Sequence, residues 1–97
     1  MINIRIYKNK VELEGHANYD KYGKDIVCAA VSSCVLTSIN AILLINEKSI
    51  KIIEKEVLII EILKQDDITL KIIKNMINML YELKEDYEKY ISIKEEV

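Results

Sequence analysis

The sequence predicts an α+β fold, two helices packed on a mostly antiparallel sheet, in the order ββαββαβ. Three observations carry this reading. Short runs alternate apolar and polar residues, as half-buried strands do. Two longer stretches, one uncharged and one amphipathic, have helical length. No proline interrupts either stretch. At 97 residues the chain is sized for one domain, expected to cover residues 1–97.

The elements follow in order. Ile2, Ile4 and Ile6 point one way, and Asn3, Arg5 and Tyr7 the other. After Lys8-Asn9-Lys10, Val11 and Leu13 alternate with Glu12 and Glu14, which makes a β-hairpin with one apolar face. Asn18 to Lys24 has neither period and reads as a loop. Residues 26–45, IVCAAVSSCVLTSINAILLI, carry no charge and are long enough to span a bilayer. Ser32, Ser33, Thr37, Ser38 and Asn40 have no reason to face lipid, so the run reads as a buried helix and no membrane is expected. Ile50–Ile53 and Val57–Leu63 are β-branched runs split by Glu54-Lys55-Glu56, read as two strands and a tight turn. Asp66 and Asp67 then precede an amphipathic helix with an Asp N-cap and the stripe Ile72, Ile73, Met76, Ile77, Leu80, Leu83 and Tyr87. Tyr90 to Lys94 alternates again and reads as a closing strand.

Composition narrows the function. A chain 51% hydrophobic and 31% charged buries enough apolar surface to exclude intrinsic disorder. A net charge of -2 gives no footprint for direct nucleic-acid binding. Two cysteines build no disulfide scaffold, and no basic-then-apolar segment opens the chain, so a cytoplasmic location is expected. Cys28 and Cys34 fall on different faces of one helix, too far apart to bridge. One histidine and no cysteine cluster leave no zinc-ligand set. No cofactor and no metal is expected.

The residues that carry chemistry lie between Gly15 and Ser32. With Asp25 as N-cap, Ile26, Val27 and Cys28 form the first helical turn, and the Asp25 carboxylate accepts from Val27 or Cys28 N–H. The positive end of the helix dipole favours a thiolate there, below the free value of ~8.5. The first-turn amides are candidate oxyanion donors. Asp25 opposes the thiolate. At 100° per residue Cys28 shares its azimuth with Val31, Val35, Ile39 and Ile42, the stripe facing the sheet. His16, the single histidine, sits across the loop, where it can pair with Cys28 as a general base. Against this, a lone Cys in an Ile-rich helix also serves as a small buried hydrophobe. Strand parity places His16 with Glu12 and Glu14 unless Gly15 breaks the strand. The residues alone leave both readings open.

Gly15-His16-Ala17, a short loop closing on Gly23, and Asp25-Ile26-Val27-Cys28-Ala29-Ala30-Val31-Ser32 together resemble the ribosomal-processing cysteine protease family, often called Prp. The end of the last helix, Tyr87-Glu88-Lys89-Tyr90, is similar to a Tyr-Pro-x-Tyr ending with Glu in place of Pro. The resemblance implies a small cytoplasmic endopeptidase, usually dimeric, with His16 and Cys28 as catalytic dyad. It gives Asp25 and Ser32 supporting positions and lets the loop around Gly23 move to admit substrate. The implied partner is the precursor of a large-subunit ribosomal protein, number twenty-seven of that series, whose N-terminal extension is removed. An apolar pocket beside Cys28 is expected for aromatic residues near the cut. Cys34 and Asp20 fall outside the family pattern.

The remaining residues carry weaker readings. Glu12 and Glu14 either orient His16 or form a solvated strand face. Ser32 either holds His16 or a substrate carbonyl, or bonds its own i−4 carbonyl. Asn40 is expected to be buried or interfacial. The small face Ala29, Ser33, Thr37 and Ala41 is expected to pack on the second helix or on a partner subunit. Apolar Val57, Ile59 and Leu63 at exposed parity favour a homodimer. Two other functions stay in view: a non-catalytic ribosome-associated binding module with a structural Cys28, and a redox-sensing thiol.

Overall fold

A computed structural model of the chain describes residues 1–15 and 25–96. The elements run β1 (Ile2–Ile6), β2 (Lys10–Glu14), α1 (Ile26–Ile45), β3 (Ile50–Glu54), β4 (Val57–Ile62), α2 (Asp67–Asp86) and β5 (Ile91–Glu95). The order ββαββαβ stands, and the long uncharged run is one helix from end to end. Lys10, read as part of the first turn, is instead the first residue of β2, and Leu63 falls just beyond β4.

The strands form one sheet in the order β3-β4-β2-β1-β5. β1–β2, β2–β4 and β3–β4 pair antiparallel, and β1–β5 pairs parallel. Side chains alternate across each strand, so one face carries Ile2, Ile4, Val11, Leu13, Ile50, Ile60 and Ile91, all buried. Both helices add to that same cluster, and each fully buried aliphatic side chain in it contributes roughly 1.5–3 kcal/mol. A one-residue slip would turn the whole set outward, which is why the register holds.

The opposite face of the hairpin is ionic. Arg5 Nε lies 3.0 Å from Glu12 Oε1, Arg5 Nη1 3.0 Å from Glu14 Oε1, and Lys10 Nζ 3.1 Å from Glu12 Oε2. Arg5 and Lys10 hold the Glu12 carboxyl below its ordinary range. Further along the sheet, Ile53, Val57 and Ile59 are half-buried on this outer face.

α1 buries Val27, Val31, Val35, Ser38, Ile39 and Ile42, the stripe its wheel predicts. It has the length and hydropathy of a membrane span, yet this stripe belongs to the core beneath it. The small face, expected to pack on α2 or on a partner subunit, borders the cleft between α1 and α2 at Ser33 and Thr37. Ala29, Ser33 and Thr37 are exposed, and contact with α2 runs through the neighbouring row, where Cys34 Sγ lies 3.9 Å from the Met76 carbonyl oxygen. With apolar or small residues on every side, the pattern of α1 marks no single docking face. Asn40 is exposed, not buried.

α2 buries Thr69, Ile73, Met76 and Leu80. Its N-cap, Asp66, accepts from Thr69 N–H at 2.9 Å and from the Thr69 and Ser49 hydroxyls at 3.0 and 3.2 Å. These donors hold the Asp66 carboxyl below its usual range. Ser49 is fully buried, and its carbonyl accepts from Leu63 and Lys64 N–H. One serine thus ties the start of β3 to the end of β4 and the start of α2.

Candidate active site

The site begins where β2 ends. Gly15 has φ +93°, a conformation that costs a side-chain-bearing residue but not glycine. A Cβ here would also lie 2.4 Å from the Met1 carbonyl oxygen, far inside contact distance. Both facts require glycine, and the positive φ breaks the strand at Gly15, immediately before His16. His16 and Gly23 lie outside the described residues, so the expected dyad and the turning of His16 toward the core have no geometry here.

The chain resumes at Asp25, the N-cap of α1, with φ -70° and ψ 99°. Its Oδ1 accepts from Val27 N–H at 3.0 Å and from Cys28 N–H at 3.1 Å. Its carbonyl accepts the first helical bond from Ala29 N–H at 3.1 Å. The N-cap is as the sequence predicts. Two of the first-turn amides expected as oxyanion donors, those of Val27 and Cys28, donate here to the Asp25 carboxylate. A short acidic side chain one turn from the nucleophile competes for those donors.

Cys28 is half-buried and faces a groove of about 520 Å³. One wall is α1, from Cys28 through Ser32 to Leu36, a span of ~12 Å at 1.5 Å per residue. The floor is apolar, made by Ile2, Leu13, Val31, Val35 and Leu58. The end of β2, at Glu14 and Gly15, and the β3–β4 connection form the rest, with Glu54, expected in the turn, closing β3 and Lys55-Glu56 making the turn. A length of ~12 Å matches three to four extended residues at ~3.3 Å each. The expected apolar pocket beside Cys28 is therefore present.

Ser32 is exposed in this groove. The i−4 bond weighed for it is made one and a half turns later, by Ser38 Oγ to the Cys34 carbonyl at 2.9 Å. Glu12 and Glu14 both pair with Arg5, and Glu14 also borders the groove. Cys34 points to the α1–α2 contact, and burial pushes its thiol above the ordinary value, the direction of an inert cysteine. Among the described residues no cluster of His, Cys, Asp and Glu could hold a metal ion.

The sequence reading missed the groove's far wall. Glu54, Lys55 and Glu56 look like an ordinary charged turn, and only the pairing of β4 with β2 places them opposite α1. Leu36 and Leu58 were missed for the same reason: no local period reveals a non-local neighbour.

Comparison with known proteins gives a consistent result. A model of the family described as cysteine protease Prp matches residues 1–92. The ribosomal processing cysteine protease Prp of Bacillus subtilis is 41% identical over 34 residues, 35% of this chain. That alignment spans 30% of the relative's length. A crystal structure of an essential ribosomal processing protease Prp from S. aureus, covalently linked to a product peptide, superposes with a TM-score of 0.93. It is 26% identical and covers 99% of this chain and 100% of that one. The same S. aureus protease with a substrate peptide gives a TM-score of 0.87 at 25% identity, covering 99% of this chain and 100% of that one.

Proposed function

The chain belongs to the cysteine protease Prp family, and from that premise we propose that it is a cysteine endopeptidase, with Cys28 as nucleophile and His16 as general base. The observation that carries this reading is the seat of Cys28: first turn of a helix, half-buried, opening on an apolar groove sized for a short extended peptide. The S. aureus relative crystallised with substrate and product peptides supports a peptide as occupant.

The chemistry runs in two halves. His16 takes the Cys28 proton, and the sulfur attacks the scissile carbonyl carbon. The carbon–sulfur bond forms as the carbonyl π pair moves onto oxygen. The carbon–nitrogen bond then breaks, and the amine leaves with the proton from His16. A water deprotonated by His16 attacks the thioester, the carboxylate product departs, and the thiol is restored.

In this proposal the substrate is the precursor of large-subunit ribosomal protein number twenty-seven, cut to release its N-terminal extension. The enzyme works in the cytoplasm as a homodimer. The half-buried outer-face residues Ile53, Val57 and Ile59 are the surface a second copy would cover. Incubating the chain with extended and mature forms of that ribosomal protein, with mass readout, tests the substrate. One cut that removes the extension and spares the mature form is expected, and an intact precursor overturns the assignment. Sedimentation equilibrium at micromolar concentration tests the dimer, which a monomeric mass refutes.

A further inference from the structure

We propose that Asp25 is a latch on the nucleophile. In the resting chain its carboxylate holds the Val27 and Cys28 amides and disfavours the Cys28 thiolate, and it leaves the Cys28 amide when a peptide carbonyl arrives. The inference deepens the proposed cleavage at Cys28 and rests on that reading for its substrate step.

The argument is one of competition for donors. A helix N-terminus offers few unsatisfied N–H groups. Here Val27 and Cys28 N–H both converge on the single oxygen Asp25 Oδ1, and Ala29 N–H is taken by the Asp25 carbonyl. When a thiolate adds to a carbonyl, the developing oxyanion needs a donor near the attacking sulfur, and the nucleophile's own amide is the nearest. That amide cannot serve the oxyanion while it serves the carboxylate. The same carboxylate is a negative charge one helical turn from the sulfur, so it opposes thiolate formation until it moves.

Among the described residues, the other charged groups near Cys28 are placed differently. Glu14, at the end of β2, is paired with Arg5. Glu54 at the end of β3, and Lys55 and Glu56 in the turn that follows, lie across the groove, and the first turn of α1 carries no acidic residue. Asp25 is the acid bonded directly to the Cys28 backbone. Substrate would act as the key: a peptide carbonyl placed against the Cys28 amide displaces the carboxylate, and displacement both frees the donor and removes the opposing charge. The nucleophile is thereby activated only when a carbonyl is present.

The test is Asp25→Asn in the full chain, since Asn caps a helix as well as Asp but carries no charge. Iodoacetamide labelling is followed across pH by peptide-resolved mass spectrometry, with Cys34 as internal control. The latch predicts that the Cys28 labelling midpoint in Asp25→Asn falls by about one pH unit while that of Cys34 stays put. Asp25→Ala, which also frees the amides, should show the same shift and should lower KM for the precursor. A Cys28 midpoint that is unchanged or raised in Asp25→Asn overturns the proposal. Labelling needs no substrate, so it reports on the latch even if the precursor proves not to be the substrate. A shifted midpoint in a chain that cleaves nothing would retain the resting lock and refute the peptidase.

Discussion

α1 and α2 are each twenty residues long, yet they are built on opposite principles. α2 buries Ile73, Met76 and Leu80 and gives Lys71, Lys74, Asn75 and Asn78 to solvent, an amphipathic pattern in which Ile68, Leu70 and Met79 are the large apolar side chains left exposed. α1 has no charge anywhere. Beyond its buried stripe it leaves Ile26, Leu36, Leu44 and Ile45 exposed, Leu44 at 89%. Folding alone does not ask for that surface. Leu36 lies on the groove that begins at Cys28, which gives at least part of the excess a use. An element whose apolar residues exceed what the core consumes is the one to examine for function.

Four substitutions break or sharpen that contrast. The largest effect belongs to α1. Cys28→Ala should abolish cleavage of the ribosomal precursor while the melting curve stays close to wild type, as read by mass spectrometry and circular dichroism on one preparation. Cleavage at the wild-type rate would remove Cys28 from the mechanism. Next comes the core of α2. Leu80 is fully buried, so Leu80→Ala should cost about 3 kcal/mol in urea unfolding, and activity per folded molecule should survive. Gly15→Ala follows, with a loss of more than ~1 kcal/mol in the same assay, because an alanine there meets both a positive φ and the Met1 carbonyl. A neutral result would show that the strand end gives way. The smallest stability effect is expected at Leu36→Ala, within ~0.5 kcal/mol of wild type, paired with a several-fold rise in KM for the precursor. A large fall in stability there would make Leu36 a structural residue and erase the contrast.

Acid provides a further handle on α2. The folded Asp66 carboxyl is held below its ordinary value by Thr69 and Ser49. The sign is that of a depressed carboxylate: its contribution is fully present at neutral pH and is lost as pH falls below about 4 toward the folded value. Asp66→Asn should therefore lower the melting temperature at pH 7 and flatten the acid limb. Parallel limbs in thermal melts at pH 7 and 3.5 would show that Asp66 titrates normally.

What the sequence made legible follows from locality. The α2 stripe and the Asp66 and Asp25 caps are written in neighbouring residues, so periodicity and capping rules find them. The stretch from Gly15 to Cys28 stood out because both glycines and the single histidine fall inside it; glycine permits a strand break at Gly15, and only the φ of +93° shows that one is made. The row of α1 that meets α2 through Cys34 lies beside the small face Ala29, Ser33 and Thr37, and neither row is marked in the sequence because small and apolar side chains surround the helix. The groove wall at Glu54–Glu56 was illegible because it depends on β4 lying beside β2. The saturation of the Val27 and Cys28 amides was half legible. The cap was predicted, but its conflict with the oxyanion role appears only once both bonds have lengths.

The parallel pairing of Ile2 with Ile91 also has a consequence for biosynthesis. β1 is synthesised before its second neighbour in the sheet, β5, with residues 7–90 made between them. At ~5–20 residues per second, the hydrogen-bonding edge of β1 on that side stays open for on the order of 5–20 s, an invitation to pair with another nascent chain. Translation speed through residues 7–90 should therefore govern how long that edge is open and how much of this protein aggregates before the sheet closes.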